Sequence, residues 1–316
     1  MAMIIPKSLK IGDTVALISA SGATPEHRIE RAIQAVEKLG FRVVVGETCR
    51  ARHGYFGGSD ELRAKEMNDM FRNPEIDGIF CIRGGYGATR ILPMLDLEMI
   101  KENPKVFAGY SDVTALHIVF NQQCGFVTYH TPMPSTEFIR PEMDEYTWEY
   151  FINSVTNTGW SDYFLENAKD QIMNTVVPGT ATGELAGGNL TLVAASLGTP
   201  FEIDMNGKIL FLEDIDENVQ RIDRMLTQLS LSGKLQQLSG ILLGGWTDCG
   251  PMDLNNAENN LSLDTVFEEI LVPLNIPILK DVTCGHVLPT MSLPLGKTVT
   301  IDATNKSIRV VGQFDA

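Results

Sequence analysis

From Thr14 to Tyr129 the chain alternates strand-length apolar runs with amphipathic stretches, and that alternation leaves few folds open. Residues 14–19, 41–45, 77–82, 106–110 and 126–129 read as strands. A helix from about Pro25 carries its buried stripe on Ile29, Ala32, Ile33 and Val36 and stops at Gly40. Ser59 or Asp60 caps a second helix bearing Leu62, Met67, Met70 and Phe71, which ends before Asn73-Pro74. Further helices follow from about Ala88 and after Asp112. Strands that are apolar throughout and separated by helices require a parallel sheet covered on both faces, so the first half is expected to be a doubly wound α/β domain.

The rhythm breaks between about Thr131 and Gly179, where Pro132, Pro134 and Pro141 and an aromatic stretch suit a helical excursion and an interdomain connection. Strands then recur at 183–188, 208–213, 240–244 and 278–282, with helices at 189–197, 217–231 and 263–272. A hairpin over 299–302 and 308–311 closes the chain. The division expected is an N-terminal domain over 1–165, a linker over 166–178 and a smaller α/β domain with mixed strands over 179–316.

A chain of 316 residues, 44% hydrophobic and 21% charged, is long enough for two domains, each with its own core. Its net charge of −15, with 25 scattered basic residues, argues against nucleic acid as a partner, because phosphate binding needs clustered Lys and Arg. Cys49, Cys81, Cys124, Cys249 and Cys284 are odd in number and far apart, which suggests neither disulfides nor a zinc knuckle. No transmembrane helix or leader is apparent, so a cytoplasmic location and no membrane partner are expected. His27, His53 and His117 read as structural or solvated, no ligand spacing is present, and no metal is implied.

Ser111 falls on the turn between strand 106–110 and the next helix, where a nucleophile would project from the carboxyl edge of the sheet. An N-capping serine explains the same residue without chemistry. One βα unit earlier, Arg83-Gly84-Gly85-Tyr86-Gly87 occupies the equivalent turn. It lacks the last glycine of the dinucleotide fingerprint, so no cofactor is inferred. The Gly85 and Asp112 amides could converge on one oxygen, although glycines there can equally serve only a tight turn. Glu213 closes an apolar strand, where an acid is unfavourable unless paired or lining a cleft. Asp216 and Glu217 read as acids complementing a helix start, and Arg221 and Arg224 as its solvated or acid-paired face. His286 sits in a proline-shaped loop after a strand, with His130 a second-rank candidate. Ser, acid and His are the parts needed for nucleophilic catalysis, here drawn from both domains.

The motifs RGGYGATRIL, AGYSDVTAL, GELAGGNLTLVAASLGTPFEID, KILFLEDIDENVQRIDRMLTQL, GILLGGWTDC and CGHVLPTMSLPLG resemble those of the LD-carboxypeptidase family of serine peptidases, which includes the microcin C immunity hydrolases. The likeness runs over nearly the whole chain. It implies Ser111 as nucleophile, His286 as general base, Glu213 as its orienting acid, and the Gly85 and Asp112 amides as oxyanion hole. It further implies a flavodoxin-like N-terminal domain, a swivelling C-terminal α/β domain, a homodimer, and no metal or cofactor. The typical substrate of the family is a murein tetrapeptide that loses its terminal D-alanine during cytoplasmic recycling of cell wall. The alternatives are immunity-type hydrolysis of acyl-sulfamoyl adenylates or N-acyl amino acids, and a non-catalytic module that binds cell-wall peptide. Arg83, Arg90 or helix-terminal amides are candidates for the substrate carboxylate on charge grounds, with Tyr86 beside Arg83.

Overall fold

The computed structural model describes residues 3–141, 143–251 and 259–312. In chain order, its elements begin with β1 (Thr14–Ile18), α1 (Glu26–Lys38), β2 (Arg42–Val45), α2 (Asp60–Arg72), β3 (Gly78–Cys81), α3 (Ala88–Ile91), α4 (Leu97–Glu102), β4 (Val106–Gly109), α5 (Thr114–Val119), β5 (Thr128–His130) and α6 (Glu145–Thr156). It continues with β6 (Tyr163–Leu165), β7 (Asn174–Val177), β8 (Thr180–Asn189), α7 (Leu190–Ser196), β9 (Ile209–Ile215), α8 (Val219–Leu231), β10 (Gly240–Thr247), α9 (Leu263–Ile270) and β11 (Ile278–Lys280). The last strands are β12 (Leu293–Leu295), β13 (Thr298–Asp302) and β14 (Ser307–Val310).

Two compact units result, one of residues 1–160 with 292–296, the other of residues 161–291 with 297–316. In the first unit the sheet runs β12-β5-β4-β3-β1-β2. β2, β1, β3, β4 and β5 are parallel, which is the doubly wound 2-1-3-4-5 order of flavodoxin-like sheets. Every residue of β1, β3 and β4 is buried, as expected for strands covered on both faces. Ile29, Ala32 and Val36 of α1 are fully buried against the sheet, and the Ser59 side chain caps α2 by accepting from the Leu62 amide at 3.2 Å. The helical excursion is α6, whose Phe151 and Val155 enter this same core, with Phe151 edge-on to Phe80 at 5.5 Å.

The second unit holds an eight-stranded sheet ordered β6-β14-β13-β8-β9-β10-β11-β7. β8, β9, β10 and β11 are parallel, while β6, β13, β14 and β7 pair antiparallel, the mixed arrangement expected. Two features differ from the sequence reading. The stretch 166–178 expected to be a linker contains β7, which pairs with β11, and the division falls at 160/161. β12 returns to the first unit as an antiparallel edge strand beside β5. A three-residue strand centred on Pro294 carries no alternation to read, and proline is tolerated there because an edge strand need not donate on both sides. Among the described residues no helix is long and apolar enough to cross a membrane.

His117 ties α5 to the carboxyl end of β4, with Nε2 2.8 Å from the Gly109 carbonyl oxygen. The ring is fully buried, and burial pushes its pKa down from 6.5 to about 4. The unfolded chain therefore takes up this proton first on acidification. Stability is complete above about pH 6.5 and falls between there and about pH 4, by at most roughly 3 kcal/mol from this group. Urea unfolding at pH 7 and pH 4.5 should show that loss in the wild type and a smaller one in His117→Gln.

Candidate active site

In the first unit the chemistry-bearing residues sit on the loops leaving the carboxyl ends of adjacent strands. β4, β3 and β1 are neighbours, so the loops after them, carrying Tyr110-Ser111-Asp112, Arg83 to Gly87 and Ser19 to Ala23, are brought side by side. This edge flanks the point where strand order reverses, the usual ligand position in open α/β sheets. The Gly22 amide donates to the Gly84 carbonyl at 3.2 Å. A Cβ at Gly84 would lie 2.9 Å from Ser111 Cβ and 3.1 Å from Ser111 Oγ, so the absence of a side chain there is what lets the serine stand against the glycine loop.

Ser111 opens a short 3₁₀ turn that leads into α5 and is half-buried. Its φ is +67°, a left-handed conformation that costs a non-glycine residue about 1 kcal/mol or more. A capping serine has extended backbone and bonds the amide two or three residues on. Here Tyr110 holds the extended cap position and Ser111 lies one residue inside the turn with a positive φ, so Ser111 is not the N-cap. Asp112 is buried, and its Oδ2 accepts from the Ala88 amide at 2.8 Å.

Arg83 is half-buried; Nη1 donates to the Ala23 carbonyl at 3.0 Å and Nε to that of Gly84 at 3.3 Å. Among the described residues no carboxylate pairs with it, and burial, with nearby Arg28 adding to it, pushes its pKa down. Arg90, by contrast, is spent on Asp60, its Nη2 2.6 Å from Oδ2. Tyr86 is 53% exposed and Tyr55 65%, with ring centroids 5.8 Å apart at the rim of the same edge. His130 is buried at the end of β5, edge-on to Tyr110 at 5.5 Å, and belongs to the packed interior.

The second unit holds Glu213 and His286, the residues expected as acid and base. Glu213 lies next to the end of β9 in register with Asn189 of β8, and its side chain is fully buried. Its Oε2 accepts from His286 Nδ1 at 2.6 Å and from the His286 backbone amide at 3.1 Å. With the Nδ1 proton directed at Glu213, Nε2 is the basic nitrogen of the ring. Glu213 Oε1 is buried with no hydrogen-bond partner among the described residues.

The loop is fitted to this contact. Thr247 Oγ1 donates to the His286 carbonyl at 2.6 Å, and a Cβ at Gly285, where φ is +107°, would come within 2.7 Å of Glu213 Oε2. Asp214 points to the other face of the strand, as alternation demands. Its Oδ1 accepts from Asn189 Nδ2 at 2.7 Å, and its Oδ2 from the Thr191 amide at 3.0 Å and hydroxyl at 2.9 Å. Asp216 and Glu217 precede the Asn218 cap instead of entering the first turn of α8, and Glu217 pairs with Arg221 at 3.3 Å.

Sequence reasoning missed Arg63 and the carboxylate of Asp112. Arg63 is 1% exposed, stands over the Phe56 ring at 4.8 Å, and donates to the Ala20 and Gly87 carbonyls. Its only sequence signal is an Asp three residues earlier on the same helix, a spacing that solvated surface pairs share. All five cysteines are buried and reduced, and burial raises their thiol pKa values. Among the described residues no group of three or more His, Cys, Asp or Glu is placed to hold a metal ion.

Comparison with known proteins gives two family matches, to the LD-carboxypeptidase N-terminal domain over residues 15–131 and to the LD-carboxypeptidase C-terminal domain over residues 182–301. A probable murein peptide carboxypeptidase of Bacillus subtilis is 37% identical over 96% of this chain and 92% of its own length. A murein tetrapeptide carboxypeptidase of Pseudomonas aeruginosa is 28% identical over 92% of this chain and 94% of its own. The microcin C7 self-immunity protein MccF of Escherichia coli is 29% identical over 97% of this chain and 95% of its own. A structure of MccF with aspartyl sulfamoyl adenosine superposes with a TM-score of 0.89 at 27% identity, covering 99% of this chain and all of that one. A muramoyltetrapeptide carboxypeptidase from Oxalobacter formigenes does so with a TM-score of 0.83 at 28% identity, covering 96% of this chain and 100% of that one.

Proposed function

Because this chain belongs to the LD-carboxypeptidase family and is thereby a serine peptidase hydrolase, we propose that it removes the terminal D-alanine from murein tetrapeptides by acyl-enzyme chemistry on Ser111. The Glu213–His286 contact at 2.6 Å is the observation that carries the reading, since it makes Nε2 the nitrogen that can take a proton from a serine. In the reaction Ser111 Oγ attacks the carbonyl carbon of the diaminopimelyl–D-alanine bond and His286 takes its proton. The oxyanion so formed is held by the Gly85 and Asp112 amides. Collapse breaks the C–N bond, His286 returns the proton to the leaving amine, and water, deprotonated by the same ring, hydrolyses the acyl-serine.

Arg83 is the residue we assign to the free carboxylate of the terminal D-alanine, supported by its half-buried guanidinium without a carboxylate partner among the described residues. The same reading carries a cytoplasmic enzyme of cell-wall recycling that works as a homodimer. A second reading, hydrolysis of acyl-sulfamoyl adenylates, has the similarity to MccF and the exposed Tyr55 and Tyr86 rings in its favour, because a purine needs an aromatic face to stack on. kcat/KM measured side by side on L-Ala-D-Glu-meso-diaminopimelate-D-Ala and on aspartyl sulfamoyl adenosine separates them. The first reading expects the tetrapeptide to be preferred by at least about 100-fold, a transition-state difference of about 2.7 kcal/mol. The reverse preference would replace it with the second.

A further inference from the structure

We infer that Arg63 and Asp112 form a clamp on a single peptide unit and thereby act as positioning residues for the glycine loop that carries the Gly85 amide. Arg63 Nη1 donates to the Gly87 carbonyl at 2.9 Å, and the Ala88 amide donates to Asp112 Oδ2 at 2.8 Å. Those two groups are the opposite ends of the Gly87–Ala88 peptide. A cation holds its oxygen and an anion holds its N–H, so each charge meets the matching end of the peptide dipole. Both side chains are 1% exposed, and burying them is costly unless such bonds are made.

The loop needs an external constraint. Gly85 and Gly87 have φ of +120° and +124°, and glycine reaches other backbone states without steric penalty. The Gly84 carbonyl, at the other end of the peptide that carries the Gly85 N–H, accepts from the Gly22 amide and from Arg83 Nε, and the clamp holds the loop three peptides further on, so that the glycines between are fixed from both sides. The clamp also connects the loop to its surroundings. Asp112 directly follows Ser111 in the chain, and Arg63 reaches the Ala20 carbonyl after β1 and Asp60 at the start of its own helix. The nucleophile turn, the glycine loop and the loop after β1 are thus fixed to one another by two buried charges. The functional half of this inference rests on the reading of the Gly85 amide as an oxyanion donor; the clamp itself does not.

The experiment compares wild type, Asp112→Ala, Asp112→Asn and Arg63→Lys by hydrogen exchange at the Ala88 amide and by kcat and KM on the tetrapeptide. Asp112→Ala should exchange Ala88 at least about tenfold faster and lose about 100-fold in kcat, the scale of one misplaced oxyanion donor, with KM changed by less than about threefold. Asp112→Asn keeps an acceptor in place and should retain at least about ten times the kcat of Asp112→Ala. Arg63→Lys, which keeps the charge but not the fork, should exchange Ala88 at least about threefold faster than the wild type and lower kcat by a similar factor, and it carries the test if the alanine variant fails to fold. Unchanged Ala88 exchange in folded Asp112→Ala overturns the clamp. Faster exchange with undiminished kcat, or an Asn variant no better than Ala, overturns its positioning role. A wild type that protects Ala88 yet does not turn over tetrapeptide leaves the clamp standing and removes the functional reading instead.

Discussion

Ser111→Ala is expected to lower kcat/KM on the tetrapeptide by at least about 10⁴-fold, or about 5.5 kcal/mol of transition-state stabilisation, with the fold intact. Alanine removes only Oγ; it keeps Cβ and so keeps the contact with the glycine loop, where Ser111 Cβ sets the space left at Gly84. It also keeps the backbone strain, because alanine is no better suited to a φ of +67° than serine. Ser111→Gly should be equally inactive and more stable than Ser111→Ala by about 1 kcal/mol, since glycine takes that conformation without a Cβ clash. The pair therefore separates chemistry from strain. Equal activity loss with a stability gain confined to the glycine variant means that the wild type holds an unfavourable backbone in order to present the hydroxyl. Chemical denaturation and steady-state kinetics on both variants measure it.

Glu213→Gln is expected to cost about 10⁴-fold in kcat with KM little changed. Oε2 of the carboxylate accepts two bonds, from the ring Nδ1 and from the backbone amide of His286. An amide in the same buried volume has one oxygen and one NH₂. If its oxygen serves the ring, the imidazole keeps its orientation but loses the negative charge that stabilises its protonated form. If its NH₂ faces Nδ1, the ring is held in the other tautomer, with its proton on Nε2 and none left to accept. The first outcome weakens base function and the second removes it, and both preserve shape. Glu213→Ala is a poorer probe, because Gly285 packs so closely on the carboxylate that truncation opens a cavity and frees the loop.

The doubly wound unit was legible because its strands are buried on both faces: the residues of β1, β3 and β4 are apolar without exception or nearly so, and the helices between them show their stripes. Glu213 was legible for the converse reason, an acid where burial forbids one without a partner. β6, β7 and β12 were not, being three or four residues long and lying at or near sheet edges, where neither alternation nor an apolar run develops. The return of 292–296 to the first unit is a tertiary fact with no local signature. Asp112 is the instructive case at the site. Sequence reasoning gave Asp112 a role only through its amide, whereas the carboxylate is buried and bonds a residue 24 positions earlier. Arg63 was hidden for the same reason, since a charged residue on a helix reads as solvated until its burial is known.

The measurement that bears most directly on the central claim is release of D-alanine from L-Ala-D-Glu-meso-diaminopimelate-D-Ala by wild type, Ser111→Ala and His286→Ala at equal concentrations of folded protein. Stoichiometric D-alanine and tripeptide from the wild type, with both variants slower by about 10⁴-fold or more, is the result predicted. D-alanine release at the wild-type rate from folded Ser111→Ala would contradict it.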